Sequence, residues 1–114
     1  MTTNGISALF VKTHNWGKAA RFFQNLGYQL EFETGHNSGQ FRNGESPAVF
    51  IAEVPEDQAT GSQLVLQVVS EQQVHANPDL ELLSPFEDTH YGTREATVRD
   101  PDGHLWLLQA PAAE

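Results

Sequence analysis

The stretch Arg99-Asp100-Pro101-Asp102-Gly103-His104, which runs into Leu105-Trp106-Leu107-Leu108, decides more about the fold than any other part of the sequence. Proline presets φ at the second position of a turn, and glycine tolerates a positive φ. Aspartate side chains can accept hydrogen bonds from nearby backbone N–H groups. Strand-forming residues precede this turn at Arg94–Arg99, and apolar residues follow it. The pattern predicts a strand, a tight turn and a second strand.

This pattern, together with Tyr91-Gly92-Thr93-Arg94-Glu95, resembles the C-terminal signature of the vicinal oxygen chelate superfamily. That superfamily includes glyoxalase I, extradiol dioxygenases, and the fosfomycin- and bleomycin-resistance proteins. The N-terminal half adds Leu9–Val11, Arg21-Phe22-Phe23 and Leu26-Gly27-Tyr28 to the resemblance. The resemblance implies an α+β fold of two βαβββ modules that form a cupped mixed sheet, usually paired across two chains. A fold does not fix a function, so the chemistry has to be argued from the site.

Length and residue types set further bounds. The 114 residues suffice for one domain with its own core, so a single domain spanning 1–114 is expected. The absence of cysteine excludes disulfides, thiolate metal sites and cysteine nucleophiles. The N-terminus lacks a basic region with a long apolar run, and no window is apolar enough to cross a bilayer. We therefore expect a cytoplasmic protein without a membrane partner.

The charge balance argues against a nucleic-acid partner. Fifteen acidic residues against six basic ones give a formal net charge of −9. The basic residues are scattered, whereas nucleic-acid binders need a clustered basic face. An acidic surface could attract a cationic ligand, but it is also ordinary in soluble proteins, and both interpretations stay open.

Residues 5–54 are predicted to form the first module. Asn15 is a suitable helix N-cap and Gly27 suits the left-handed position after a helix, so a helix is predicted over Trp16–Leu26. Turn residues separate the remaining segments. The strands of this module are predicted at Ile6–Lys12, Tyr28–Glu33, Gln40–Asn43 and Ala48–Val54.

A polar linker at 55–62 precedes the second module, predicted at 63–111. Ser70 and Gln73 have the spacing of a capping box, and Pro78 limits the following helix to about Glu71–Asn77. The second helix of the superfamily is generally longer, so one wall of this module is expected to be poorly covered. Strands are predicted at Gln63–Val69, Glu81–Ser84, Arg94–Arg99 and Leu105–Gln109, and Pro111–Glu114 is expected to be frayed.

A catalytic metal is not expected. None of the five histidines forms an i, i+4 pair of the metalloprotease type. By the resemblance, metal enzymes of the superfamily place one His or Glu on each of four inward strands, here at Ala8, Leu107 and near Ile51 and Gln63. Alanine and leucine have no donor atom, and only Glu53 could supply a carboxylate nearby. No cofactor is predicted.

Covalent catalysis is not indicated either. No serine lies in a G-x-S-x-G elbow, and no glycine-rich phosphate loop exists. Asp100 and Asp102 are acids in a tight turn, for which a structural role is far more common than a catalytic one. No catalytic residue is therefore predicted.

The same strand alignment predicts an apolar cup with a few fixed amides, which suits reversible binding of a small organic molecule. Alternation places Phe10, Val49, Ile51, Gln63, Val65, Gln67, Leu105 and Leu107 in the cup. Leu9, Val11, Leu64, Leu66, Val68, Trp106 and Leu108 are predicted to face the helices. Tyr91 is placed at the mouth of the cup by the resemblance. The predicted ligand residues are Phe10, Ile51, Glu53, Gln63, Gln67, Tyr91 and Leu107.

The function that the sequence favours is metal-independent small-molecule binding, as in bleomycin-resistance-type proteins that sequester an antibiotic. The first alternative is a metal-dependent lyase, isomerase or oxygenase of the glyoxalase or dioxygenase kind, which would use Glu53 and histidines. The second is a protein-interaction module whose cup is filled. A homodimer is expected because strand edges and apolar strand faces need covering.

Overall fold

The computed structural model describes residues 3–89 and 92–111. In these residues eight strands and two helices follow one another as two βαβββ modules, which confirms the predicted α+β class and element order. The elements are β1 (Thr3–Thr13), α1 (Trp16–Asn25), β2 (Gln29–Glu33), β3 (Ser38–Arg42), β4 (Ala48–Glu53), β5 (Gly61–Val68), α2 (Glu71–His75), β6 (Leu82–Asp88), β7 (Thr93–Arg99) and β8 (Leu105–Pro111).

The chain forms two compact units. Ala8–Gln63 is called the N-terminal unit, and Leu64–Glu114 with Met1–Ser7 is called the C-terminal unit, in each case for the described residues. Strand β1 therefore contributes its first residues to one unit and the rest to the other. That the modules are bounded at 5–54 and 63–111 within one domain stays a prediction.

In the N-terminal unit the strand order is β2-β3-β4-β1, with β1 parallel to β4 and the other pairs antiparallel. Helix α1 begins where predicted, because the Asn15 side chain accepts a hydrogen bond from the Lys18 N–H. It ends before Gly27, whose φ of 105° is the left-handed conformation that glycine tolerates. The apolar face of α1 covers a core of Phe41, Val49 and Ile51.

The C-terminal unit repeats this plan with the order β5-β8-β7-β6, in which β5 and β8 are parallel. The first residues of β1 also belong to it, and the Thr3 hydroxyl donates to the Gln67 carbonyl oxygen at 2.7 Å. The core cluster consists of Val68, Val74, Phe86, Ala96, Val98, Leu108 and Ala110.

The predicted final hairpin is confirmed. Strands β7 and β8 pair in continuous antiparallel register from Thr93 with Pro111 to Arg99 with Leu105. The Gly103 N–H donates to the Asp100 carbonyl oxygen, and Gly103 has a φ of 90°. The Asp-Pro-Asp-Gly stretch therefore forms the predicted tight turn.

Several predicted boundaries were wrong by two to four residues. Strand β3 begins at Ser38 and β6 continues to Asp88, where the predicted strands began at Gln40 and ended at Ser84. Strand β5 begins at Gly61, inside the predicted linker. Helix α2 ends at His75, earlier than the predicted Asn77. The predicted fraying of Pro111–Glu114 falls mainly outside the described residues, and Pro111 itself ends β8.

Neither described helix, at ten and five residues, has the length and apolar character required to cross a membrane.

Candidate functional site

In each unit the strands have one face that packs against the helix of that unit and an opposite face, here called the back face. In the N-terminal unit Leu9 pairs with Val49 and Val11 with Ile51, and all four side chains belong to the core under α1. Because side chains alternate along a strand, Phe10 and its partner Phe50 lie on the back face. Their rings stack with centroids 5.8 Å apart.

The predicted orientation of β4 was wrong. Val49 and Ile51 were expected in the cup, but they pack under α1, where Ile51 is fully buried. The back-face position between them belongs to Phe50. Ile51 was predicted to contact a ligand because it was expected to face the cup, and it does not face the cup.

Glu53 lies on the same side as Ile51 and has a structural partner there. Its Oε1 accepts a hydrogen bond from the Trp16 backbone N–H at 2.9 Å, at the start of α1. Its Oε2 accepts from the Asn37 side-chain amide at 3.2 Å. This carboxylate ties β4 to the first turn of α1, and it does not belong to the back face where it was predicted to act.

Two predicted ligand residues do come together. Phe10 and Gln63 line one cavity of about 180 Å³, together with Lys12 and residues 59–62. A space of this size holds one ring or one short substituent rather than a whole drug-sized molecule. Phe10 and Gln63 are both partly exposed, so a ligand can reach them.

The C-terminal unit presents two further predicted residues on its own back face. Val65 pairs with Leu107 and Gln67 with Gln109, while their strand neighbours Leu66 and Leu108 pack in the helix-side core. Gln67 and Leu107 are partly exposed. Tyr91 lies outside the described residues.

A polar cluster on the back face of the N-terminal unit was not indicated by the sequence. Glu31 lies at a bulge between Leu30 and Phe32, and Gln40 Nε2 and Arg42 Nε of β3 each donate to it at 3.0 Å. The hydrogen bond from Gln40, followed by that from Arg42, lowers the pKa of Glu31. No sequence signal marks a bulge of this kind, and the cluster was not predicted.

Two of the four predicted metal positions, Ala8 and Leu107, offer no donor atom in the structure. Ala8 pairs with Ala48 on one back face and Leu107 with Val65 on the other, and none of these side chains has a donor atom. The nearby carboxylates are already engaged: Glu31 with Gln40 and Arg42, and Glu95 with Gln109.

Among the described residues, Asp100, Asp102 and His104 have their ligand atoms within 4.8 Å of one another. Asp100 Oδ1 accepts the N–H groups of Asp102 and His104, and Oδ2 accepts the indole Nε1–H of Trp106 at 3.0 Å. These bonds, the indole bond first, hold the pKa of Asp100 at about 2. The cluster is explained by closure of the hairpin turn.

A larger cavity, of about 630 Å³, lies in the C-terminal unit on the helix side of its sheet. Its walls are apolar side chains of β5, β8 and α2, including Leu66, Val74 and Trp106. No site was predicted here from the sequence, although Pro78 and the short second helix indicated that one wall is incomplete.

Comparisons with known proteins give a fold. No protein-family model matches the chain, and no curated protein matches it. A glyoxalase/bleomycin resistance protein/dioxygenase superfamily member from Vibrio splendidus superimposes with a TM-score of 0.67 at 16% identity, over 90% of this chain and 96% of that one. Methylmalonyl-CoA epimerase from Mycobacterium tuberculosis gives a TM-score of 0.73 at 13% identity, over 98% and 91% of the two chains.

An Mn(II)-bound glyoxalase from Novosphingobium aromaticivorans matches with a TM-score of 0.68 at 14% identity. There the match covers 99% of this chain but only 42% of the other. At such identities the likeness establishes the fold alone. The chain has the fold of the glyoxalase/bleomycin resistance/dioxygenase group, which is the vicinal oxygen chelate fold.

Proposed function

We propose that this protein binds a small organic molecule without a metal, in the manner of bleomycin-resistance-type proteins that sequester an antibiotic. The observation that carries the proposal is the cavity that Phe10 and Gln63 share on the back face of the N-terminal unit. Gln67 and Leu107 are proposed as ligand residues on the back face of the C-terminal unit. The protein would act as a cytoplasmic homodimer without a nucleic-acid partner.

The side chains that line this cavity are better suited to reversible binding than to catalysis. The Phe10 ring offers an apolar surface for a flat group, and the Gln63 amide can both donate and accept a hydrogen bond without ionising. Lys12 supplies a donor at the same cavity. None of these groups is paired with a base or an acid that would activate it, so we assign no bond-making step to this site.

Binding is tested by chemical-shift mapping with a set of planar aromatic compounds. Signals of Phe10 and Gln63 should move together, and Gln63→Ala should weaken binding about two- to tenfold through loss of one or two hydrogen bonds. Gln24→Ala, on the exposed side of α1, is the matched control and should leave binding unchanged. Shifts confined to residues 56–58 or to α1 would contradict this assignment.

Metal independence is tested by elemental analysis after dialysis without chelator. Because Ala8 and Leu107 supply no donor and Glu53 is engaged at the start of α1, we expect far less than one equivalent of metal per chain. One equivalent of zinc, nickel, manganese or iron would instead favour a metal-dependent enzyme of the glyoxalase or dioxygenase kind. A failure to bind any small molecule would favour a protein-interaction module.

A further inference from the structure

The larger cavity of the C-terminal unit exists because helix α2 is too short to cover its sheet. Helix α2 has five residues, and Ala76 already serves as its C-cap. The chain then turns through Asn77 and Pro78, and proline cannot continue a helix. In the N-terminal unit, by contrast, α1 has ten residues and covers its core with Trp16, Phe23 and two alanines. The missing helical turns leave a space of about 630 Å³.

The walls of this cavity are apolar and well supported. Val68 and Val74 are almost completely buried, and they form the inner wall with Leu66, Leu80, Trp106 and Leu108. Helix α2 is held in place by Arg94, which donates to Glu71 on the helix and to Asp88 and the Phe86 carbonyl oxygen on β6. The volume falls in the range of about 300–1,000 Å³ that is typical of sites for drug-sized molecules.

Apart from Thr3, the polar residues that line the cavity in the described part of the chain lie in two short segments, 77–79 and 99–100. Asn77, Asp79 and Arg99 are exposed lining residues, and Asp100 lies beside Trp106 at the same end. Within the described part of the chain, neither the Asp79 carboxylate nor the Arg99 guanidinium has a hydrogen-bond or ion-pair partner. The charged lining residues are two carboxylates, Asp79 and Asp100, and one guanidinium, Arg99, so the lining is negative overall in a chain whose net charge is −9.

We propose that this cavity is a second ligand site, which takes an apolar ring-containing molecule with a single amine that is held at Asp79. The site is independent of the back-face function proposed above, because it lies on the helix side of the sheet. Trp106 forms part of its wall, while the indole N–H is already used by Asp100. The apolar body supplies the affinity and the amine sets the orientation.

The test uses three naphthalene probes that differ only in the polar end: 1-naphthylmethylamine, 1-naphthalenemethanol and 1-naphthoate. Each is titrated into the full chain while the Trp106 indole signal is followed by NMR. We expect the amine to bind about two- to fivefold more tightly than the alcohol, as for an exposed charge pair, and the carboxylate to bind most weakly. Equal binding of all three probes, or tightest binding of the carboxylate through Arg99, would overturn the assigned ligand class.

Leu80→Trp locates the binding site. Leu80 is partly buried and lines the cavity, so a larger side chain should fill the space and weaken binding roughly tenfold or more. Leu83→Trp is the matched control, because Leu83 is 44% exposed on β6 and does not line the cavity. Unchanged thermal unfolding of both variants shows that they fold. Binding that survives Leu80→Trp, or no binding of any probe at millimolar concentration, would overturn the proposal.

Asp79→Asn tests the polar end separately. It should lower the affinity for the amine about two- to fivefold and leave the alcohol unaffected. Asp57→Asn, in the exposed segment before β5, should change neither. If the Trp106 signal moves with protein concentration in the absence of probes, the occupant is a second copy of the chain, and the small-molecule proposal is overturned.

Discussion

Asp100 accepts several hydrogen bonds within the final hairpin. Its two oxygens accept the N–H groups of Asp102 and His104 and the indole N–H of Trp106. All of these donors favour the ionised form, which explains why the pKa falls from 3.8 to about 2. The charge therefore contributes to the stability of the hairpin wherever the carboxylate is ionised.

The contribution of Asp100 to the free energy of unfolding therefore depends on pH, and it decreases as the pH falls. Because the folded pKa is depressed, the contribution is fully present above the unfolded pKa of about 3.8 and is lost as the pH falls toward 2. Asp100→Asn removes the charge at every pH. In urea unfolding, the wild-type chain should exceed the variant in stability at pH 6, and the difference should shrink steadily between pH 5 and pH 2.

The control for this experiment is Asp57→Asn, whose stability should follow the wild-type profile across the same range. Trp106→Phe removes the indole donor and should reduce the pH-dependent difference without abolishing it. A constant difference between wild type and Asp100→Asn from pH 6 to pH 2 would contradict the proposed role of the charge.

At the residue scale, the sequence predicts local partners and misses distant ones. The structural role of Asp100 follows from turn chemistry within four residues. The bond from the Trp16 N–H to Glu53 joins residues 37 positions apart. It depends on the register of β1 and β4, which no local pattern encodes, and Glu53 was therefore given a role on the wrong face.

At the scale of elements, the same contrast separates α1 from β4. Helix α1 was predicted within one residue, because Asn15 and Gly27 mark its two ends. In β4 four consecutive residues, from Ala48 to Ile51, are buried. When both faces of a strand are buried, apolar and polar residues do not alternate along it, and the sequence does not show which side chains face the helix. The predicted register of β4 was therefore wrong by one residue, which exchanged its two faces.

Two glycines of the N-terminal unit should respond to alanine in opposite ways. A Cβ at Gly39 would lie 2.7 Å from the Phe32 carbonyl oxygen and 2.9 Å from the Trp16 ring, so β2 or α1 must move away from β3. We expect Gly39→Ala to cost about 1–3 kcal/mol in free energy of unfolding.

The matched substitution is Gly17→Ala in the first turn of α1. There a Cβ would meet only Asn15 and Arg21 side-chain atoms, at 3.7 and 3.8 Å. Because alanine is the better helix former, the chain should gain about 0.5 kcal/mol. Urea unfolding measures both changes, and equal effects of the two variants would contradict the close packing of α1 on β3.

Helix α2 is too short to be stable alone and depends on Arg94 for its position. Replacing Arg94 by methionine removes the contacts with Glu71, Asp88 and the Phe86 carbonyl oxygen. The Ala76 amide, which closes the helix by donating to Gln72, should then exchange its hydrogen several-fold faster. Arg99→Met, at the other end of β7, should leave this rate unchanged, and an unchanged rate in Arg94→Met would show that the ion pairs do not hold the helix.

At the scale of the whole molecule, one βαβββ plan is used twice with unequal helices. The plan was predictable, because it rests on repeated local signals and on the resemblance of the final hairpin. The candidate sites were predictable only in part: Phe10 and Gln63 do share a cavity, whereas the larger cavity follows from what α2 leaves uncovered. Pro78 indicated that one wall would be poorly covered, but the size of the cavity and its lining residues depend on packing between distant segments, which the sequence does not show.

The exposed edge of the N-terminal unit leads to the last prediction, a homodimer in solution. Strand β2 lies at the end of its strand order and is exposed along its whole length. Phe22 and Leu26 on α1 are each 59% exposed, and Leu30 on β2 is 41% exposed. An uncovered strand edge beside large apolar side chains favours association with a further chain, and most soluble oligomers are built from identical copies. Light scattering at micromolar concentration should therefore give twice the chain mass of 12.6 kDa.

Two lysine substitutions identify the edge that is used. Leu30→Lys places a charge on β2 and should shift the measured mass toward the monomer, because an edge charge opposes pairing between strands. Leu83→Lys makes the same change on β6, which ends the strand order of the C-terminal unit, and should leave the mass unchanged. The reverse result would assign the dimer contact to β6. A monomer at every concentration of the wild-type chain would contradict the dimer, and the apolar side chains of α1 and β2 would then face solvent.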